Sequence, residues 1–404
     1  MPIKPKGSKI APLRIIVAGM AAQYPVGGVA WDYLQYPIGL ARLGHDVVYH
    51  EDTWCWPYHP LQRSMVDDPA YSAGYLRDFF GRYAPDLSER WHYLQLHETS
   101  CGMSRGAFDE FARSADLFIN VSGGSFFPGA LAPSCLKLFL DTDPGYNQII
   151  LSERPSWSEN VDRWCAGVRA HDRHFTYAEN FGAADCTMPD AGVAWRPTRM
   201  PVVPELWNAC ADRVKPSSPW STVMTWNVFK GKLEHRGVEY RGKADEFAKI
   251  ADLPHRLGRE FRVAVGGTEA PLAALAAQGW LAEDGPTATL TPGDYQDYLA
   301  ASRGEVSVAK HVYVALKTGW FSTRSACYLA ASRPVVVQDT GFSNILPVGR
   351  GLHAFSDEDE AAVAIEAIEA DYASETTAAR EVALAHFDAK AVLSRLIDEA
   401  FASS

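Results

Sequence analysis

Apolar residues along the chain gather in short β-branched runs separated by segments of helical period, the pattern of strands buried on both faces alternating with helices. Ile15, Ile16 and Val17 read as a strand from Arg14 to Ala18, a helix is predicted from about Ala30 to Leu43, Gly44 ends it, and HDVVYHED supplies a second strand. Helices reaching about Arg82 and running from Gly106 to Ser114 precede the strands DLFINV and CLKLFLDTD, while WHYLQLHETSCGMS shows no clear period and reads as irregular. From Trp195 to Pro219 five prolines interrupt the pattern, too many for regular structure. Alternation resumes with STVMTW, EFRVAVGG and RPVVVQDTG as strands and KADEFAKIADLP and PLAALAAQG as helices, and the alanine-rich tail is helical, with Ser356 as its expected N-cap and Asp357, Glu358 and Asp359 in its first turn. The expected organisation is α/β: residues 1–200 as one domain, 201–219 as linker, 220–385 as a second domain, and 386–404 as a C-terminal helix able to pack back on the first.

Composition narrows the classes. At 404 residues, 47% hydrophobic and 22% charged, the chain has the length and mix of two globular domains. A net charge of -11 opposes binding to duplex nucleic acid. Seven scattered cysteines, an odd number without a C-x-x-C pair, fit reduced thiols and a cytoplasmic setting. The apolar run RIIVAGMAA is short and contains glycine, so neither a signal peptide nor a membrane span is expected.

Candidate chemistry concentrates at the C-terminal ends of the strands, the edge where open α/β sheets bind ligands. Ser322 is placed to cap a helix from about Thr323 to Ala331, with Arg324 and Ser325 in its first turn; unpaired N–H groups, the helix dipole and a guanidinium together suit a phosphate. Gln338, Asp339 and Thr340 follow a valine-rich strand, Gly266 and Gly267 end another, and Gly27 and Gly28 precede a helix in the first half. Lys243 and Lys310 are cations able to offset phosphate charge, and Asp143, Asp141 and Glu98 are carboxylates available for proton transfer. Each of these residues alone has a plainer reading as a cap, a turn former or a surface charge. His171 and His174 read as ordinary core or surface histidines, and no metal site is expected.

PVGGVAWDYLQYPIGLARLGHDVVYHED resembles the opening of group 1 type bacterial glycosyltransferases of the GT-B fold, and GWFSTRSACYLAASRPVVVQDTG followed by GRGLHAFSDEDEAAVAIEAI resembles their closing pattern. The resemblance implies two Rossmann-like domains facing each other across a cleft, with the acceptor held by the first. The second would hold a nucleotide-sugar donor, UDP- or dTDP-linked, as co-substrate, with no other cofactor. In that scheme Gly27 and Gly28 would face the donor diphosphate from one side and Ser322, Arg324 and Ser325 from the other, with Asp339 and Thr340 near the sugar. The two glutamates that retaining members carry fall on Gly319 and Cys327, so inversion of configuration is preferred. The alternatives are a nucleotide-sugar 2-epimerase of the same fold and a non-catalytic nucleotide-binding regulator; a nicotinamide oxidoreductase is opposed by the missing G-x-G-x-x-G after the first strand.

Overall fold

The fold is described by a computed structural model covering residues 11–156, 160–226, 232–267 and 270–402. Two sheets organise it. The first has the spatial order Trp195–Pro197, Arg173–Thr176, Leu136–Asp141, Leu117–Val121, Arg14–Ala18, Asp46–Glu51, Trp91–Gln95, Thr99–Gly102, and all its pairings are parallel except the last. The second runs Trp280–Asp284, Phe261–Gly266, Trp220–Thr225, Gly304–Ser307, Val335–Gln338, Leu352–Phe355, entirely parallel. Ile15, Ile16, Val17 and Val335, Val336 are fully buried, as continuous β-branched runs covered by helices on both faces should be.

Four local expectations are corrected. WHYLQLHETSCGMS is a β-hairpin whose first strand, Trp91–Gln95, is buried throughout, so no polar-apolar alternation marks it; its buried His92 is satisfied by Ser100 Oγ at 3.1 Å. The single helix expected from Ala30 begins at Gly27 and divides at Leu34 into Gly27–Tyr33 and Gln35–Arg42, with Pro37 accommodated in the first turn of the second. The proline-rich passage is not irregular: Pro204–Arg213 is a 3₁₀ helix with proline at its start, and its Trp207 packs 5.0 Å from the ring of Trp31. In the tail the N-cap is Asp357, whose carboxylate accepts the Glu360 N–H at 2.9 Å, while the Ser356 N–H donates to Glu360 Oε2 at 2.7 Å.

The two halves share one continuous core that includes Trp31, Leu34, Trp207, Tyr295, Cys327 and Leu329. The chain also crosses back. Val202 and Asp388 form a bridge, and helix Ala389–Phe401 lies against Gln35–Arg42 so closely that a Cβ on Gly39 would sit 2.6 Å from Leu393. Arg199, buried and paired with Glu179 at 2.6 Å, donates to the His386 carbonyl at 3.3 Å, and this bond and the Arg173 bond to the Ala400 carbonyl at 3.1 Å hold the return. All seven cysteines are free thiols, and among the described residues no helix is long and apolar enough to cross a membrane.

Arg333 fastens the passage to the second half. Its fully buried guanidinium donates to the carbonyls of Cys210 and Ala300 at 2.7 Å each and of Ala211 at 3.2 Å. Truncation orphans these carbonyls away from water, so Arg333→Ala should lose about 3 kcal/mol or more of unfolding free energy in urea. A loss below about 1 kcal/mol would show that the joint does not depend on this side chain.

Candidate active site

The C-terminal edges of the two sheets face one another across a cleft enclosing ≈ 350 Å³. From the first half it is lined by Gly28, Asp32, Tyr33, Ser122, Thr142 and Tyr177. Opposite them stand Thr225, Lys243, Gly266, Thr289, Tyr295 and the segment Ser322, Thr323, Arg324.

The Ser322 segment opens helix Thr323–Ala330. Ser322 Oγ accepts the Arg324 N–H at 3.2 Å, the capping bond that fixes where the helix begins. Arg324 is anchored as well as cationic: Nε meets Glu305 Oε1 at 2.5 Å, Nη1 the Val223 carbonyl at 2.7 Å, and Nη2 Ser307 Oγ at 2.9 Å. Glu305 is fully buried as the second residue of strand Gly304–Ser307, and its Oε2 has no partner among the described residues. The guanidinium therefore holds the helix start onto two neighbouring strands, Trp220–Thr225 and Gly304–Ser307, while its edge lines the cleft.

Across the cavity Asp32 projects from helix Gly27–Tyr33 into the opening, where solvent reaches it but protein surrounds it. The shortage of bulk water pushes its carboxyl up to about 6, against the Thr323 hydroxyl and the charges of Arg324 and Lys243, which favour the ionised form. Burial holds the Lys243 ammonium well below its ordinary value, with repulsion from Arg324 and Lys310 adding to the effect.

Solved structures similar to this chain include AviGT4, a glycosyltransferase involved in avilamycin A biosynthesis (14% identity, 96% of this chain and 97% of that one, TM-score 0.51). Others are HepE from Anabaena, solved with UDP and glucose (12% identity, 96% and 99% coverage, TM-score 0.55), and sucrose-phosphate synthase from Thermosynechococcus elongatus (14% identity, 96% and 100% coverage, TM-score 0.50). The fold is GT-B. No protein-family model matches the chain, and neither does any curated protein.

Within this GT-B frame the cleft gathers Gly28, Lys243, Gly266, Ser322 and Arg324 from the residues singled out in the sequence. The others lie elsewhere. Gly27 is buried at the domain junction, donating its N–H to the Thr289 carbonyl at 3.0 Å, and a Cβ there would collide with the Thr289 and Thr291 carbonyls. Gly267, with φ +106°, is an exposed turn beyond its strand. Ser325 is buried behind the helix start. Gln338 binds the Ala309 N–H at 3.1 Å and Glu246, Asp339 caps a turn through the Gly341 N–H at 2.9 Å and Ser343 Oγ at 3.0 Å, and Thr340 donates to the Trp320 carbonyl at 2.6 Å.

The carboxylates nominated as bases are also committed. Asp141 is fully buried and accepts four hydrogen bonds, from the Asp143 N–H, Asn147, Gln148 and Thr176, so it organises a loop instead of meeting a substrate. Asp143 reaches over the domain boundary to Lys310 Nζ at 2.5 Å and accepts from the Tyr313 hydroxyl, which takes both Asp143 and Lys310 into a structural tie. Glu98 is exposed in the hairpin turn at the sheet edge. Sequence reasoning passed over Asp32 because GGVAWDYLQY presents it as the polar position of an amphipathic helix; its only signal is its place one turn after the Gly-Gly pair.

The positions of the two missing glutamates are filled by packing. Gly319 has φ +78°, and any Cβ there would collide with the Asn180 backbone nitrogen; Cys327 is fully buried, its Sγ 3.7 Å from Gln35 Nε2. No carboxylate fits at either.

The raised carboxyl makes a stability prediction. Between the ordinary Asp range near 4 and about 6 the folded protein keeps a proton that the unfolded chain has lost, so Asp32 ionisation lowers stability as pH rises through that window. Asp32→Asn should therefore stabilise the protein more at pH 7 than at pH 4.5 in paired denaturant titrations. An equal change at both values would contradict the raised carboxyl.

Proposed function

We propose that the protein is a glycosyltransferase that moves a sugar from a UDP- or dTDP-linked donor to an acceptor hydroxyl, with inversion at the anomeric carbon. The observation that carries this reading is the opposition of Asp32 on one wall of the cleft to Lys243, Arg324 and the Ser322 helix start on the other. The binding of UDP and glucose by HepE, of the same fold, supports a nucleotide-sugar donor.

In this scheme the donor diphosphate sits against the cationic wall, where the unpaired N–H groups of the helix start, the Lys243 ammonium and the fixed Arg324 charge meet the negative charge that grows on the leaving oxygen. The acceptor oxygen attacks the anomeric carbon, the bond from that carbon to the diphosphate breaks with its electron pair going to the diphosphate, and Asp32 takes the acceptor proton. A carboxylate raised to about 6 remains ionised at neutral pH and is a stronger base than an ordinary aspartate. Inversion follows from a single displacement, since Gly319 and Cys327 supply no second carboxylate.

Asp32→Asn should reduce turnover about 100-fold or more while leaving nucleoside diphosphate affinity near the parent value, measured by product assay and calorimetry. Asp143→Asn, which loosens the tie to Lys310 and Tyr313, should cost less than about tenfold. The reverse order of effects would move the base to Asp143. Incubation with donor alone should leave the nucleotide sugar unepimerised; an epimerised donor would overturn transfer as the activity.

A further inference from the structure

A second cavity, of ≈ 580 Å³, lies wholly within the first domain and meets the cleft at Ser122, which lines both. Ser122 Oγ is 3.0 Å from the hydroxyl of Tyr33, the residue after Asp32, so a molecule filling this cavity has an end at the centre where the proposed transfer occurs. The walls are aromatic: Trp54, Phe126, Phe127, Phe139 and Trp164 line them.

The polar atoms of the cavity are largely spent on the protein itself. Asn120 Nδ2 donates to the Ser125 carbonyl at 2.9 Å, Asn147 Nδ2 to Asp141 at 2.6 Å, and Ser125 Oγ to the Gly19 carbonyl at 3.2 Å. Burial pushes His171 down to about 4, so it is neutral near pH 7. Among the described residues no carboxylate lines the cavity. A polyhydroxylated sugar would leave many hydroxyls without partners here, at the cost that unpaired buried polar groups carry. An ammonium would find no counter-charge.

Arg163 is the exception to this neutrality. Its guanidinium stands at the rim, 4.5 Å from the ring centre of Phe126 and 5.8 Å from that of Trp54. Trp54 itself is held in an unfavourable backbone conformation, φ +54°, half exposed, with the His97 ring 4.0 Å away and His97 bonded in turn to Asp52 at 2.5 Å. An aromatic plate with an exposed cation beside it suits a flat ring bearing a negative charge.

We propose that this cavity is the acceptor site and that the acceptor is a planar aromatic compound carrying a hydroxyl at one end and a carboxylate at the other, the ring stacked between aromatic walls and the carboxylate on Arg163. The assignment of the site as the acceptor's rests on the transferase reading; the ligand class does not.

Calorimetric titration of the full chain without donor tests it, using 6-hydroxy-2-naphthoate, 2-naphthol, trans-4-hydroxycyclohexanecarboxylate and maltose. The naphthoate should bind at one site, about tenfold or more tighter than each of the other three, because only it satisfies both the rings and the cation. Trp54→Ala and Arg163→Ala should each weaken it about tenfold while leaving UDP affinity unchanged. Maltose binding more tightly, no naphthoate binding, or naphthoate affinity undiminished by both substitutions would overturn the proposal. A failure of UDP to bind would fall on the transferase reading and leave the naphthoate result standing.

Discussion

The buried contact between Arg324 and Glu305 is the constraint on which the cleft depends. It draws the start of helix Thr323–Ala330 onto strands Trp220–Thr225 and Gly304–Ser307, through the Val223 carbonyl and Ser307 as well as the carboxylate. A guanidinium can do this because its planar fork serves several acceptors at once, whereas an ammonium is a single point of charge. Once the helix start is fixed, its N–H groups and the positive charge face Asp32, and the raised carboxyl and depressed ammonium opposite follow from shared enclosure.

The domain boundary is built from the same kind of close, directional contact. The Gly27 N–H reaches the Thr289 carbonyl, the Trp31 ring N–H donates to the Pro292 carbonyl at 3.0 Å, and the Trp320 ring N–H to the Thr142 carbonyl at 3.2 Å. These bonds, with the Asp143–Lys310 pair, place residues from distant parts of the chain on opposite walls of one cavity. The large aromatic cavity in the first domain then adjoins a charged one at Ser122, a division between apolar recognition and polar chemistry.

Much of the frame was legible in the sequence because it is written locally. β-Branched runs and Ser322 before an apolar-periodic segment each announce an element from neighbouring residues alone, whereas the Gly27-Gly28 pair, read as a loop before a helix, is the first turn of that helix. The strand Trp91–Gln95 was hidden because burial on both faces removes alternation and its polar residues are satisfied once folded, His92 by Ser100 across the hairpin and Gln95 by the Asp67 carbonyl. The site was harder for a related reason. Asp143 and Asp32 are both exposed-looking carboxylates in sequence, and only three-dimensional placement reveals that one is consumed by Lys310 and Tyr313 while the other faces the cleft. Likewise the strand-end triplet Gln338, Asp339, Thr340 sits at a ligand edge in principle, yet Gln338 is spent on the Ala309 N–H, Asp339 on its own turn and Thr340 on the Trp320 carbonyl.

The central claim is that the wall formed by Lys243, Arg324 and the Ser322 helix start receives a diphosphate. The most direct measurement is calorimetric titration of the parent protein with UDP, dTDP, uridine and thymidine, repeated with Lys243→Met. At least one nucleoside diphosphate should bind at a single site about 100-fold or more tighter than its nucleoside, with most of that advantage lost in the variant, because two or three charge-assisted contacts disappear without the phosphates. Equal affinities for diphosphate and nucleoside, or an advantage untouched by removal of the Lys243 charge, would contradict it.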